Sequence, residues 1–360
     1  MRPHGVWGHS VLHDFRLEQC GPTGERSPLR AGASVYHSLP SLRRGNPSTS
    51  HIRLTPRPSA LLRVRKGFDG FPATAPALPG ITDVHVHHAP RGSLRPAIID
   101  IMRRSMPGFA RLEGVMGDPR DFLDHMDAVA VERSCLISYV APEVMGYKED
   151  TNASVAKYAQ EDRKRLLPFG SVHPRRSRDP KRDVERLASK LEVAGLKIHP
   201  PHQLFAANAY ADGRLPGLRT IYRTAERLRL PVMVHTGTSI FPGARSKYGD
   251  PMALDDVAQD FPELTILMAH GGRPIWCEAA FFLLRRHPNI YLDISSIPPP
   301  RLLEWFPRIE RIADRILFGS DWPGPGIPGI REEIDAVRGL PLSDATKERL
   351  FVSNARRVFP

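Results

Sequence analysis

From residue 79 onward the chain alternates two textures. Short runs rich in β-branched and other apolar residues give way to longer stretches whose apolar positions recur at helical spacing. Those two periods separate a buried strand from an amphipathic helix. The eight runs of the first kind are "ITDVHVH" (81 to 87), "RSCLISYV" (133 to 140), "LLPFGSVH" (166 to 173), "GLKIH" (195 to 199), "PVMVHTG" (231 to 237), "LTILMAHGG" (264 to 272), "NIYLDIS" (289 to 295) and "RILFGSD" (315 to 321). The clearest helix-like segments between them are "DPRDFLDHMDAVAVE", "DPKRDVERLASKLEVA", "LRTIYRTAERLRL", "WCEAAFFLLRRH" and "RLLEWFPRIERIA". Eight strand–helix repeats across residues 79 to 360 predict a (β/α)8 barrel, a fold that typically takes about 250 residues. A doubly wound open sheet alternates in the same way, but no G-x-G-x-x-G follows the first run. The closing "SDATKERLFVSNARRVF" reads as one more helix and a turn that completes the barrel.

The first 75 residues are different, being rich in Pro, Arg, Ser and Gly without a sustained period that could bury a face. Residues 1 to 78 are therefore expected to be a disordered extension, or else a translated leader ahead of a later start. Charge follows the same division. Of the formal +12, residues 1 to 75 carry +7 and the rest +5, so the excess that would suggest a nucleic-acid partner lies mostly outside the predicted barrel. That segment holds five histidines but no aromatic interleaving, and no nucleic-acid partner is expected.

With 41% hydrophobic and 25% charged residues the composition is that of a globular protein, and no apolar run approaches the ~20 residues of a membrane span. Cys20, Cys135 and Cys277 show no Cys-x-x-Cys spacing, so neither a disulfide framework nor a thiolate zinc site is suggested, and a reducing cytoplasm is the expected location. The start "MRPHGVWGHSVLHDF" lacks the apolar core of a secretory signal. Asp14, Glu18 and Glu25 argue against a transit peptide.

Three histidines and an aspartate in "ITDVHVHH" raise the question of chemistry. Strand alternation places Asp83, His85 and His87 on one face, Val84 and Val86 on the other, and leaves His88 a bystander. Two imidazoles at a strand end can ligate one divalent ion, or they can be hydrogen-bonded core histidines. Three further runs end in residues suited to the same ion: His235, His270 and Asp321. In a parallel barrel all strand C-termini emerge on one rim, so four independent strand ends would converge on one site.

Together, the Asp-x-His-x-His of residues 83 to 87, "PVMVHTG", "AHGG", "FGSDWP" and "NARRVF" resemble the metal-dependent amidohydrolase superfamily. The likeness is to its amidohydrolase-related group, which contains aminocarboxymuconate-semialdehyde decarboxylase-like enzymes, and it extends over residues 79 to 360. It implies that His85, His87, His235 and Asp321 are metal ligands and that His270 and Asp321 act in catalysis, with Asp83 as an orienting carboxylate. One divalent ion is implied, zinc first, with manganese or iron as alternatives. Lys197 keeps a binuclear site with a carboxylated lysine open, or it pairs with an anionic substrate, or it caps the rim. His199 and Arg273 are further candidates for substrate contact, the former against a strand-breaking role of "HPPH" and the latter against a surface arginine. Trp322 and its neighbouring prolines are expected to shape the pocket mouth, and Cys135 to be a core residue. The implied activity is hydrolysis of an amide, ester or lactone, with non-oxidative decarboxylation of an unsaturated or aromatic carboxylate as the alternative. A small-molecule substrate, no membrane and a homodimer complete the expectation.

Overall fold

A computed structural model of the chain describes residues 80–88, 92–106 and 109–360. The extension expected over residues 1 to 78 and Cys20 lie outside the described residues. Eight parallel strands form one sheet in sequence order: β1 (Ile81–His87), β2 (Val131–Ile137), β3 (Leu166–Gly170), β4 (Gly195–Ile198), β5 (Val232–His235), β6 (Ile266–Ala269), β7 (Ile290–Asp293) and β8 (Ile316–Leu317). The sheet closes because the chain after β8 runs on beside β1. Val84 N–H donates to the Phe318 carbonyl (2.9 Å), Asp321 N–H to that of His85 (2.8 Å) and His87 N–H to that of Trp322 (2.7 Å). First and last strands thus meet, which an open doubly wound sheet does not allow, and the fold is the expected (β/α)8 barrel.

Helix starts follow the local chemistry of the sequence. In "DPRD" and "DPKRD" an aspartate caps the helix and a proline takes the first helical position, where its missing N–H costs nothing. Asp118 accepts from the Arg120 N–H ahead of the helix Pro119–Ala128, and Asp179 from the Arg182 N–H ahead of Pro180–Lys190. The segment 301 to 313 departs from its helical pattern. Helix Pro299–Trp305 stops, and 3-10 turns resume at Ile309–Arg315. Pro307 lacks the N–H that a continuing helix would need there. The C-terminal segment is helical as expected, from Asp344 to Val358, with a π-helical turn at Arg349–Ser353.

Burial divides the barrel into layers. Alternate strand residues such as Leu136, Leu196, Val234 and Met268 pack outward with helix residues such as Phe122, Leu187 and Tyr222. Their neighbours Cys135, Phe169, Met233, Leu267 and Leu317 fill the interior, where Phe359 from the C-terminus meets the Phe169 ring at 5.9 Å. Each such side chain contributes about 1.5 to 3 kcal/mol by leaving water. Toward the strand C-termini the interior turns polar, with Lys197, His85 and Asp293 fully buried. The apolar floor below and the helix ring around hold those groups in place.

Candidate metal centre

The site begins in β1, where simple alternation fails. Asp83 pairs with Ser134 but Val86 with Leu136, so β1 carries one extra residue between them. A bulge of this kind re-aims side chains. Val84 consequently joins the interior with Cys135 and Met233, while Val86 packs outward. His85 and His87 still face the interior, but Asp83 does not share their role. Its Oδ1 accepts from the backbone N–H of His85 (3.1 Å) and of Ser320 (3.0 Å), tying β1 to the turn that carries Asp321. Burial raises the Asp83 pKa to about 7.

The carboxylate that orients His85 is Asp293 at the end of β7, which the sequence reading passed over. His85 Nδ1–H donates to Asp293 Oδ2 at 2.6 Å, so the proton sits on Nδ1 and Nε2 presents a lone pair, which faces Lys197 Nζ at 3.3 Å and can ligate. In "LDIS" the strand period puts Asp293 and Ser295 on one face with an aspartate aimed inward, a signal that was available. Ser295 Oγ lies 3.0 Å from Nδ1 of both His85 and His270. Gly319 keeps this corner open, because a methyl group there would overlap Asp293 Oδ1 and come within 2.8 Å of the His85 Cβ.

His85, His87 and Asp321 are brought together. Asp321 Oδ1 lies 3.3 Å from His85 Nε2 and 3.0 Å from His87 Nε2. Buried Oδ1 has no aligned hydrogen-bond donor, so lone pairs converge there. An edge of about 3.3 Å is what two donors span across one ion with near-tetrahedral bonds of about 2.0 to 2.1 Å. These residues fit a divalent ion. They are the group of three whose donor atoms all lie within 4.8 Å of one another among the described residues. His235 stands outside that spacing. Its buried Nε2 has no partner, and its ring lies 4.6 Å from that of His270 and 3.9 Å from that of His199.

His270 Nδ1–H donates to the Ser295 carbonyl at 2.9 Å, which leaves the Nε2 lone pair on the other edge of the ring. Burial, with Arg273 nearby, holds His270 well below the ordinary histidine range, and burial does the same to His235. His85 is lowered to about 4 by burial and by the Lys197 charge. Asp321 is a carboxylate: burial opposes its charge, but the imidazoles of His270, His85 and His87 hold it well below the usual range. His270 and Asp321 both have left-handed backbones, at φ 68° and 66°, an arrangement that costs energy outside glycine.

Lys197 lies beneath this set rather than in the cavity. It is fully buried, its Nζ is 3.3 Å from His85 Nε2, and burial lowers its pKa to about 8. The cavity itself, of about 610 Å³, opens above and is lined by His87, His199, His235, His270, Arg273 and Asp321. Arg273 donates to the Ser296 carbonyl (2.7 Å), to Ser296 Oγ (2.8 Å) and to the Thr238 carbonyl (3.3 Å). Those bonds fix the guanidinium plane at the cavity wall, where Nη2 also lies 4.0 Å from Asp321 Oδ2.

His199 stacks between His235 and His202, at 3.9 and 3.5 Å between ring centroids. His202, another residue missed from sequence, bonds Tyr139 Oη (2.9 Å) and Ser239 Oγ (2.7 Å). Trp322 does not shape the mouth. It is buried on the outer side, stacked 5.9 Å from Phe122, while Pro323 and Pro325 line the cavity. His88 is a bystander as expected, against Ser154 and Tyr158, and Cys135 is core.

The model of the family described as Amidohydrolase matches residues 82–360. A 2-pyrone-4,6-dicarboxylate hydrolase from Comamonas testosteroni is 26% identical where aligned, over 32% of this chain and 51% of that protein. The chain thus spans about half the length of this curated relative. Among solved structures, an uncharacterised TIM-barrel protein from Bordetella bronchiseptica superposes with a TM-score of 0.61 at 22% identity, over 78% of this chain and 98% of that one. A dihydroxybenzoic acid decarboxylase from Polaromonas, holding manganese and the inhibitor 2-nitroresorcinol, gives 0.58 at 18% identity over 78% and 97%. At such identities the structural likeness establishes the fold.

Proposed function

This chain belongs to the amidohydrolase family, and on that premise we propose that it is a metal-dependent hydrolase that cleaves an amide, ester or lactone with activated water. The observation that carries the reading is His270, a buried imidazole at the cavity whose Nδ1–H is committed to the Ser295 carbonyl, which leaves Nε2 as a base. A base beside the reacting water suits hydrolysis, whereas decarboxylation needs a donor of a proton to carbon. We assign His85, His87, Asp321 and His235, whose Nε2 has no hydrogen-bond partner, as ligands of one divalent ion. Zinc is preferred for a nitrogen-rich donor set, with manganese, present in the Polaromonas relative, or iron as the alternatives. When bound, the ion supplies Lewis acidity that lowers the pKa of water towards ~7 and polarises a carbonyl.

The chain's own groups do the rest. His270 Nε2 takes a proton from the attacking water as its oxygen adds to the acyl carbon. The same nitrogen then returns the proton to the departing nitrogen or oxygen as the old bond breaks. Asp321 Oδ2 accepts a hydrogen bond that orients the water, and Arg273, which faces that carboxylate at 4.0 Å, pairs with a substrate carboxylate. His199 forms part of the wall against which the substrate lies.

Two other readings have a specific observation behind them. Non-oxidative decarboxylation has the decarboxylase among the solved relatives, with His270 then delivering its proton to carbon. A binuclear site has Lys197, 3.3 Å from His85 Nε2, as a carboxylated bridge. Metal analysis with product analysis separates them. One ion per chain, activity lost on chelation and a hydrolysed product are expected. Two ions would revive the lysine bridge, carbon dioxide without hydrolysed product would sink the hydrolase, and full activity after chelation would sink both. His270→Asn should lower kcat by about 10² to 10⁴ while metal content stays unchanged.

A further inference from the structure

The cavity is lined by side chains of two kinds. Beside the His85, His87 and Asp321 set it is polar, with Arg273 fixed in its wall. It is also lined by Met102, Phe109 and Met116, with Glu113 beside them, from the segment between β1 and β2, and by Ile240 and Phe241 from the loop after β5, Phe241 standing 5.6 Å from the His202 ring. Those residues come from the segments that follow β1 and β5, short helices Pro96–Ser105 and Phe109–Val115 included, and segments at the strand C-termini vary substrate choice on a constant barrel. Methionines give a wall that adapts to irregular apolar shapes. Ile240 stands 67% exposed at the edge, an apolar side chain with water where a ligand could replace it.

Size points the same way. A single benzene ring fills a cavity of about 150 Å³. At about 610 Å³ this one has room for roughly four times that, so a one-ring acid beside Arg273 would leave the apolar walls in water.

We propose that the substrate is an amphiphile, with an anionic group held by Arg273 beside the metal set and an extended apolar chain or multi-ring body lying along Met102, Phe109, Met116, Ile240 and Phe241. This deepens the hydrolase reading and rests on it for the reaction, but the binding it describes needs no turnover. Burial of each added methylene should tighten binding by about fourfold, the equivalent of about 0.8 kcal/mol, until the chain outgrows the wall.

Isothermal titration of the full metal-loaded chain with butanoate, hexanoate, octanoate and decanoate, below their micelle concentrations, tests this, with benzoate as the one-ring comparison. Affinity at one site per chain should climb steeply from butanoate to octanoate, with octanoate binding at least tenfold tighter than benzoate. Ile240→Glu, at an exposed position, should flatten the climb. Arg273→Gln should weaken every member by a similar factor and leave the climb intact. Equal affinities across the series, a climb indifferent to Ile240→Glu, or benzoate tighter than octanoate would overturn the proposal. If instead the metal were absent or the product were carbon dioxide, the hydrolytic reading would fall while the length dependence could still be read.

Discussion

His85 shows how much of a site depends on a residue that never touches substrate. Its Nδ1–H is taken by Asp293 at 2.6 Å, which fixes both the tautomer and the direction of Nε2. Removing the charge of such a partner usually weakens metal affinity about 10- to 100-fold. Asp293→Asn should therefore lose metal to a competing chelator at correspondingly lower chelator concentration, with the thermal midpoint of the metal-free protein little changed. Unaltered retention would mean that Ser295 Oγ, 3.0 Å from the same nitrogen, orients the ring by itself. His270 and Asp321 carry a different cost, their positive φ, and it falls on the two residues assigned to move or orient protons. His270 follows β6 and Asp321 follows β8, with β7 between them, so the same strained backbone aims two side chains from separate strand ends into one site.

The elements that build the site are short and depend on one another. β8 has two residues, and the run after it does the closing of the barrel through its bonds to β1. Gly319 lies in that run, pressed against Asp293, His85 and Ser295. Gly319→Ala should cost about 1 to 3 kcal/mol through overpacking and should also reduce bound metal, because relief comes by moving His85 or Asp293. Denaturation midpoint and metal content measured together check this, and a variant with both at wild-type values would mean that the backbone yields instead. The helices were legible because "DP" pairs mark their starts and apolar residues recur at helical spacing. The segment 301 to 313 misled because its apolar pattern continues across Pro307, where the backbone cannot.

On the scale of the molecule, burial of the polar ring makes stability depend on pH. His88 and His202 are lowered to about 4 and about 3 by burial, His85 to about 4, and His199, His235 and His270 in the same direction. Unfolding frees each to take a proton below about 6.5, so the stability they contribute is present above that pH and is lost as pH falls. Between pH 7.5 and 5.5 His85, His88 and His202 each cost about 1 kcal/mol, and the others act in the same direction. Asp83, raised to about 7, acts oppositely and returns about 2 kcal/mol over the same interval, since its native form prefers the proton. Burial lowers His173 as well and raises Glu333 to about 7, so seven histidines stand against two carboxyl groups and outweigh them. Urea midpoints should fall clearly from pH 7.5 to 5.5, and a level or rising profile would contradict the burial that drives these shifts. Among the described residues, no helix is long and apolar enough to cross a membrane.

The sequence by itself determined the barrel and most of its rim, because strand and helix periods are local and the strand ends His85, His87, His235, His270 and Asp321 stand in apolar runs where imidazole and carboxylate are conspicuous. It could not determine which carboxylate orients His85. That depends on a bulge between Asp83 and Val86 and on β7 being next to β8 in a closed sheet, and both are matters of register between distant strands. Tertiary structure alone likewise put Lys197 beneath the cavity, turned Trp322 outward and brought Met102, Phe109, Met116, Ile240 and Phe241 into the same cavity as Arg273. Each of those placements follows from how the elements pack against one another, which no single stretch of chain encodes.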